Sequence, residues 1–319
     1  MSGAIGVADG MDGMDGMDGM DGMQVAAGTG AGAEMLRPIG VSPALAPQRD
    51  ETGEMESWLR GNKWPPGDAA GWPLMPETGH FRREGWSAYH LSIAGLAEFA
   101  QQPGWATLLD REKDHYKHVD VAEELRQLAE LAEYRPGVIA EAMAQRNNIL
   151  GYFRGVLSFD RDSYRATFDL AMIALRVAQF QAMHWKMVFA RPRPTALSPR
   201  LMPPIDPPGH AAYPSGHATE AFLLAACLEQ VMPEAIRQPG EERGPLWRMA
   251  ERVARNREVL GMHYPSDSAL GRRIARLSLP LLLACPTVAG LVEAARVEWA
   301  PRSRENRPPA NQAYWGERP

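Results

Sequence analysis

The sequence predicts an all-α fold, a single helical bundle, from two observations. Apolar residues recur at helical spacing in segments at about 120–135, 136–155, 163–190, 216–233, 245–260 and 267–297. Alternation of apolar and polar residues, which is typical of strands, is scarce. Hydrophobic residues make up 45% of the 319 residues, which is enough for a sizeable core. We therefore expect one helical domain over residues 86–300.

The first of these helices carries the expected boundary signals. Leu125, Leu128 and Leu131 fall on one helical face, Asp120 is placed as an N-cap, and Pro136 follows the end. The later segments show the same periodicity. The last is interrupted by Pro280 and Pro286, which favour a buried helix or a pair of helices over a membrane span.

The ends of the chain have a different composition. Residues 9–23 repeat Asp-Gly-Met, which has no means of burying an apolar face and lacks the spacing of a calcium loop. We expect a disordered tail over 1–34, an irregular Pro-, Gly- and Trp-rich wrap over 35–85, and a C-terminal tail over 301–319.

Charge and cysteine content limit the partners and the compartment. A net charge of −5 argues against a nucleic-acid partner. Cys227 and Cys285 lie in apolar stretches, as buried free thiols in a reducing compartment do. Since no secretory signal or membrane span is visible, the expectation is a cytoplasmic protein that does not engage a membrane.

The first candidate cluster is KMVFARPRP. Lys186 closes a long helix, and Arg193 follows on a loop stiffened by Pro192 and Pro194. Such a loop holds a guanidinium rigidly. The alternative is an ordinary helix C-terminus whose cations complement the helix dipole.

The second cluster is the stretch Pro214-Ser215-Gly216-His217 before an apolar helical run. Ser215 is placed to cap that helix, and Gly216 permits a close approach of backbone amides to an anion. The alternative is a plain capping segment with an incidental histidine. The sequence lacks the Gly-x-Ser-x-Gly context of a hydrolase nucleophile.

The third cluster is RNREVLGMHYPSD. Gly261 is a natural helix terminator after Arg257, which leaves His263 in a turn, and Asp267 opens the next helix beyond Pro265. Asp267 can accept a hydrogen bond from one nitrogen of His263 and leave the other available. The alternative is a structural His–Asp pair. Taken together, the three clusters place cations and histidines at helix ends, as a tetrahedral oxyanion requires.

The order and spacing of these clusters resemble the signature of the phosphatidic acid phosphatase type 2 and vanadium haloperoxidase superfamily. The resemblance spans residues 186–267 and departs from the usual pattern at Asn256, where the family has serine. It implies an all-helical core around a phosphoryl group or a bound vanadate. It also implies roles for eight residues: anion binding by Lys186, Arg193, Arg257, Ser215 and Gly216, bonding of the central atom by His263, proton transfer by His217, and orientation of His263 by Asp267.

Two activities follow from the resemblance, and a non-catalytic anion-binding protein is a third possibility. The stretch HAAYPSGHAT is similar to the corresponding sequence of soluble bacterial haloperoxidase-like proteins. By this resemblance His210 would be a neighbour of the halide site. The short separation between His217 and Asn256 is instead similar to the phosphatases, in which His263 would form a phosphohistidine. We expect the haloperoxidase, with bromide as the favoured halide, and keep the phosphate-monoester phosphatase as the alternative.

The implied cofactor is vanadate for the haloperoxidase, with His263 as its ligand, and none for the phosphatase. The implied partners are small molecules: halide and hydrogen peroxide, or a phosphate ester. Relatives often form homodimers, but no sequence feature identifies an interface. The remaining histidines are predicted to be structural: His80, His90, His115, His118 and His184.

Overall fold

The computed structural model describes residues 48–49, 55–56, 85–110, 118–233 and 244–300. The predicted tails at 1–34 and 301–319 lie outside these residues, and so does nearly all of the predicted wrap at 35–85. In the unit Gly22–Trp86, two short strands, β1 (Gln48–Arg49) and β2 (Met55–Glu56), pair antiparallel with Gln48 opposite Glu56.

The helices lie in the unit that contains Ser87 onward, and the predicted all-α fold class is confirmed. The α-helices are α1 (Ala88–Ala100), α2 (Val121–Leu131), α3 (Arg135–Asn147), α4 (Ile149–Leu157), α5 (Arg165–Phe189), α6 (Pro194–Leu197), α7 (Gly216–Glu229), α8 (Pro245–Val259), α9 (Pro265–Leu283) and α10 (Pro286–Trp299). Short 3₁₀ turns occur at Trp105–Thr107, Ala132–Tyr134 and Pro199–Leu201.

Helix α7 is the central element of the bundle. Every residue from Gly216 to Leu228 is buried, and the helix packs against α5, α8 and α9. Small residues such as Ala221 and Ala225 let these neighbours approach closely, while Leu224 and Leu228 fill the space between them. The N-terminus of this buried helix therefore lies inside the protein. It lies close to the start of α9 and to the loop that follows α5.

The segment predicted as one helix over 136–155 is two helices. Asn148 leaves the helical conformation (φ −148°, ψ 71°), and its side-chain Oδ1 accepts a hydrogen bond from the amide of Gly151 at 2.6 Å. Asn148 thus caps α4 and separates it from α3. Short polar side chains compete with the helical backbone in this way, which a periodicity argument does not detect.

The segment predicted over 267–297 is also two helices, as the two prolines indicated. Helix α9 begins at Pro265 rather than at Asp267, because proline is favoured in the first turn, and Asp267 is its third residue. Pro280 is accommodated inside α9, and α10 begins at Pro286 after a bend of 92°. Within the described ranges no single helix is long and apolar enough to cross a membrane, although this bent pair meets the length and composition criteria together.

Acidic side chains from distant segments cap two helix N-termini. Glu298 of α10 accepts hydrogen bonds from the amides of Ala166 and Thr167 at 2.7 and 3.0 Å, at the start of α5. Glu98 of α1 accepts one from the amide of Thr287 at 2.9 Å, at the start of α10. These carboxylates complement the positive ends of the helix dipoles and fix α1, α5 and α10 relative to one another.

Candidate active site

The first cluster lies where α5 ends. Ala190 takes the left-handed conformation (φ 49°) and donates its amide to the carbonyl of Lys186 at 2.9 Å, which terminates the helix. Lys186 is 2% exposed, and its Nζ donates to the carbonyls of Ala211 and Ala212 at 2.6 and 3.1 Å. A buried ammonium group therefore faces the segment that leads into α7.

Arg193 lies on the stiffened loop as predicted, immediately before the short helix α6. Its Nη1 donates to the carbonyl of Met262 at 3.0 Å and lies 3.2 Å from Nε2 of His263. Its Nε donates to the carbonyl of His210 at 3.0 Å, and its Nη2 lies 3.0 Å from Nδ1 of the same residue. Arg193 therefore joins the first cluster to the third and to His210.

The second cluster forms the N-terminus of α7. Ser215 is the N-cap, and its Oγ accepts from the amide of Ala218 at 3.3 Å, which confirms the predicted cap. The peptide bond between Tyr213 and Pro214 is cis. The amide of Ser215 donates to the backbone carbonyl of Asp267 at 3.0 Å, so the start of α7 is joined directly to the start of α9. Gly216 and His217 follow as the first residues of the helix, and both are buried.

The third cluster has the predicted turn. Helix α8 ends at Val259, and Gly261 follows with φ 75°, a conformation that favours glycine. His263 lies in the turn beyond it, 2% exposed, with its Nδ1 at 3.0 Å from Oδ2 of Asp267. The structure thus brings together the pair that the spacing of four residues predicted.

The electrostatic environment keeps His263 neutral. Burial lowers the pKa of His263 well below its usual value, and the charges of Arg193, Lys186, His217 and His210 lower it further. The neighbours assign the tautomer: Nδ1 carries the proton and donates it to Asp267, and Nε2 accepts from Arg193. The Nε2 lone pair therefore faces the cationic side of the site.

The charge of Asp267 is balanced mainly by Arg191, which is not one of the predicted site residues. Burial raises the pKa of Asp267 to about 6, whereas Arg191 and the backbone amide of Tyr264 favour its ionised form. The carboxylate Oδ2 accepts from that amide at 3.0 Å as well as from His263. Asp267 is therefore a positioned acceptor for the histidine ring.

Two further residues of the sequence prediction are Arg257, which bonds α3, and His210, which contacts Arg193. Arg257 lies in the last turn of α8, is fully buried, and donates from Nη2 to the carbonyl of Ala142 in α3. His210 is half-buried and contacts Arg193 as described above. Asn256, the departure from the family pattern, donates from Nδ2 to Oε1 of Gln145 at 2.8 Å and so contributes to the contact between α8 and α3.

A cavity of about 480 Å³ opens onto this cluster. Its walls include Lys186, Arg193 and His210 together with the apolar side chains of Met183 and Met187. A second cavity of about 600 Å³ touches Ser266 and a row of arginines on α9, on the side of Tyr213. Of the predicted site residues, the first cavity is lined by Lys186, Arg193 and His210, whereas His217, Arg257 and His263 are not among its walls.

Sequence reasoning missed Arg191 and Glu124. Arg191 is 3% exposed and bonds Asp267, and Glu124 of α2 bonds Arg191 at 2.8 Å. The ARPRP motif does contain two arginines on a stiffened loop, which is a signal for Arg191. No comparable signal exists for Glu124, because it lies 67 residues from Arg191 in an ordinary amphipathic helix.

The histidines predicted to be structural contact ordinary neighbours where they are described. His90 lies 2.8 Å from Oγ of Ser87, and His184 contacts the rings of Trp105 and Trp185. His118 is exposed. His80 and His115 lie outside the described residues.

The three clusters lie within the segment that matches a protein-family model. Residues 167–290 match the model of the PAP2 superfamily, and this segment contains every residue from Lys186 to Asp267. This part of the chain belongs to the PAP2 superfamily. No curated protein matches the chain. Members of the superfamily are phosphatases or haloperoxidases, so the chain has the features of an enzyme of this general type.

Proposed function

We propose that this PAP2 superfamily protein is a vanadate-dependent haloperoxidase that oxidises a halide, bromide in particular, with hydrogen peroxide. The observation that carries the proposal is the contact of Arg193 with both His263 and His210, at 3.2 and 3.0 Å. Through Arg193 this contact connects His263 to a second histidine, which the sequence resemblance implies is a neighbour of the halide.

The side chains fit a highly charged oxyanion. Lys186, Arg193 and Arg257 supply cations, and each is buried, so each would interact with an anion in a low-dielectric environment. The N-terminus of α7 adds Ser215 and the amide of Gly216. Within the described ranges no group of three or more His, Cys, Asp or Glu side chains is arranged for a metal cation.

His263 would hold the central atom of this anion through Nε2. Nε2 is unprotonated in the assigned tautomer, because Nδ1 carries the proton and donates it to Asp267. Vanadate, when bound, would supply a Lewis-acidic centre at which hydrogen peroxide is activated to oxidise bromide to hypobromous acid, with water as the reduced product.

Proton transfer is assigned to His217. This histidine is 1% exposed in the first turn of α7, and its charge is among those that lower the pKa of His263. A histidine in this position can hold or release a proton as the bound oxygen atoms change charge.

A phosphate-monoester phosphatase is the second candidate, and the neutral state of His263 favours it. In this reaction Nε2 attacks phosphorus, a phosphorus–nitrogen bond forms, and the bond to the ester oxygen breaks. His217 gives a proton to that oxygen, and water then attacks the phosphohistidine to release phosphate and restore Nε2. No cofactor is needed for this sequence of steps.

One experiment separates the two activities. The purified full-length protein is assayed for bromide oxidation with vanadate and hydrogen peroxide, and in parallel for hydrolysis of a chromogenic phosphate monoester. His263→Ala is expected to reduce the responding activity to background, because it removes the atom that bonds vanadium or phosphorus. His90→Ala, an exposed histidine on α1, is the matched control and should retain full activity.

The outcomes are distinct. Vanadate-dependent bromide oxidation without ester hydrolysis supports the haloperoxidase, and ester hydrolysis inhibited by vanadate supports the phosphatase. Silence in both assays with retained phosphate binding would instead indicate a non-catalytic anion-binding protein. Full activity of His263→Ala would contradict the assigned role of this histidine in either enzyme.

A further inference from the structure

Asp267 is held from two directions. Its Oδ2 accepts hydrogen bonds from Nδ1 of His263 and from the amide of Tyr264, both at 3.0 Å. Its Oδ1 accepts from Nη1 of Arg191 at 2.7 Å. The carboxylate is fully buried, so protein groups hold it in place. The bond of Oδ1 to Arg191 therefore helps to fix Oδ2, which orients the ring of His263.

Arg191 is itself fixed along its edge and over its face. Its Nη1 also donates to Oγ of Ser266 at 2.6 Å, and its Nη2 donates to Oε2 of Glu124 at 2.8 Å. The guanidinium lies over the ring of Tyr264, 3.8 Å from its centroid. A fork with two differently directed donors is a property of arginine that lysine lacks.

Glu124 completes the arrangement from another helix. Its Oε1 accepts from the amide of Ser266 at 2.7 Å, and its Oε2 accepts from the hydroxyl of the same residue at 2.9 Å. Because Ser266 directly precedes Asp267 in α9, Glu124 fixes the backbone that carries Asp267 as well as the arginine that bonds it. The carboxylate of Glu124 on α2 thus bonds the first turn of α9, although Glu124 and Ser266 are 142 residues apart in the sequence.

We propose that Arg191 and Glu124 are positioning residues that hold Asp267 as the acceptor for His263, and so keep Nε2 of that histidine unprotonated and directed at the oxyanion. The proposal rests on the function proposed for His263. Arg191 bonds two carboxylates, whereas Arg193 contacts the histidines, so the charge of Arg191 is matched within this network. Its loss should therefore impair turnover far more than anion affinity.

The test compares Arg191→Met, Arg191→Lys and Glu124→Gln with the wild type. Replacement of a residue that supports a ligating histidine typically costs about 10–100-fold, so we expect that decrease in kcat for Arg191→Met. Arg191→Lys should restore part of it, because it retains the charge but not both directed bonds. The dissociation constant of inorganic phosphate should change much less than kcat.

A second readout does not depend on turnover. Nitrogen-15 NMR of histidine-labelled protein should show one tautomer of His263 in the wild type, with Nδ1 protonated, and a mixture in Arg191→Met. Glu298→Gln is the structural control. It removes a carboxylate that caps α5 far from the site, so it should lower Tm without changing either the tautomer or kcat.

The outcomes of the two proposals are separable. If the wild type is inactive in both assays, the proposed function fails, while the tautomer comparison still tests the positioning pair. Should Arg191→Met fold and keep a single Nδ1-protonated tautomer, the positioning role is overturned. Should Arg191→Met not fold, Arg191→Lys and Glu124→Gln decide the matter by the same criterion.

Discussion

Glu258 illustrates, at the scale of one residue, how burial changes the energetics of a charge. It lies in the last turn of α8, is 6% exposed, and bonds the exposed Arg255 at 2.9 Å. Burial raises the pKa of Glu258, the charge of Glu124 adds to the rise, and bonds from Ser268 and Arg255 oppose it. The free carbonyls at the helix end also disfavour a carboxylate there.

This raised pKa predicts a pH-dependent gain in stability for Glu258→Gln. The folded state holds the proton more tightly than the unfolded chain, so ionisation of Glu258 costs folding free energy as pH rises above its unfolded pKa of about 4.3. Glutamine is neutral at every pH. The free energy of unfolding of the variant should therefore increase relative to that of the wild type from pH 4.5 to pH 8, which means that the variant becomes relatively more stable.

Urea unfolding at the two pH values measures this difference, and Glu251→Gln is the control because Glu251 is an exposed carboxylate on the same helix. An identical difference between variant and wild type at both pH values would show that burial of Glu258 does not perturb its ionisation.

The residues of the site differ in how visible they are in the sequence. Lys186, Arg193, His217 and His263 were predictable because their spacing follows local helix ends and turns. Arg191 carries only the signal of a second arginine on the stiffened ARPRP loop, and Glu124 carries none, because their importance comes from contacts between segments that are 67 and 76 residues apart. Spacing along the chain carries no information about such a pairing.

At the scale of the elements, α7 and α9 approach each other at a glycine. A Cβ on Gly271 of α9 would lie 2.9 Å from the Cβ of Ala218, 2.9 Å from the amide nitrogen of Thr219 and 3.0 Å from the carbonyl oxygen of Ser215. Two of these neighbours are backbone atoms of the first turn of α7. The absence of a side chain at Gly271 therefore lets α9 lie directly against the N-terminus that supplies Ser215, Gly216 and His217.

Gly271→Ala should both destabilise the fold and weaken the site. Overpacking of a tight contact costs about 1–3 kcal/mol of unfolding free energy, and separation of α7 from α9 should reduce phosphate affinity as well. Gly155→Ala is the matched control, because no atom lies within 4 Å of a Cβ there and alanine favours a helix by up to about 1 kcal/mol.

Chemical denaturation and phosphate titration of both variants provide the measurements. A Gly271→Ala variant as stable as wild type would show that the two helices can separate at little cost, contrary to this argument.

The boundaries of the elements were predictable where capping chemistry marked them. Asp120, Ser215 and Gly261 were identified as caps and occupy those positions. Asn148 also carries a capping side chain, but it lies inside a continuous periodic segment, so the pattern of apolar residues concealed the break. The sequence offered a pair of helices as one of two alternatives for α9 and α10, but it contained no signal for the bend of 92° between them.

At the scale of the whole molecule, helix ends far apart in the sequence meet at one buried place. The end of α5 supplies Lys186, the loop after it Arg193, the start of α7 His217, and the turn before α9 His263. Buried like charges repel one another, so this arrangement costs folding free energy that a bound anion would offset. The stability of the protein should therefore depend on anion concentration.

This dependence gives the last prediction. A ligand that binds only the folded state at 100 times its Kd adds about 2.7 kcal/mol to the free energy of unfolding. For a domain of this size that is about 5–10 °C in Tm. We expect Tm to be higher by this amount in inorganic phosphate than in sodium chloride of equal ionic strength, because chloride lacks the four oxygens that the cations would bond. Differential scanning calorimetry measures the difference.

The Arg193→Met variant should lose most of the rise in Tm. The Arg200→Met variant, which replaces an exposed arginine nearby in sequence, should keep it. Equal Tm values in the two salts, or a full rise in Arg193→Met, would show that the buried cations do not bind the anion together.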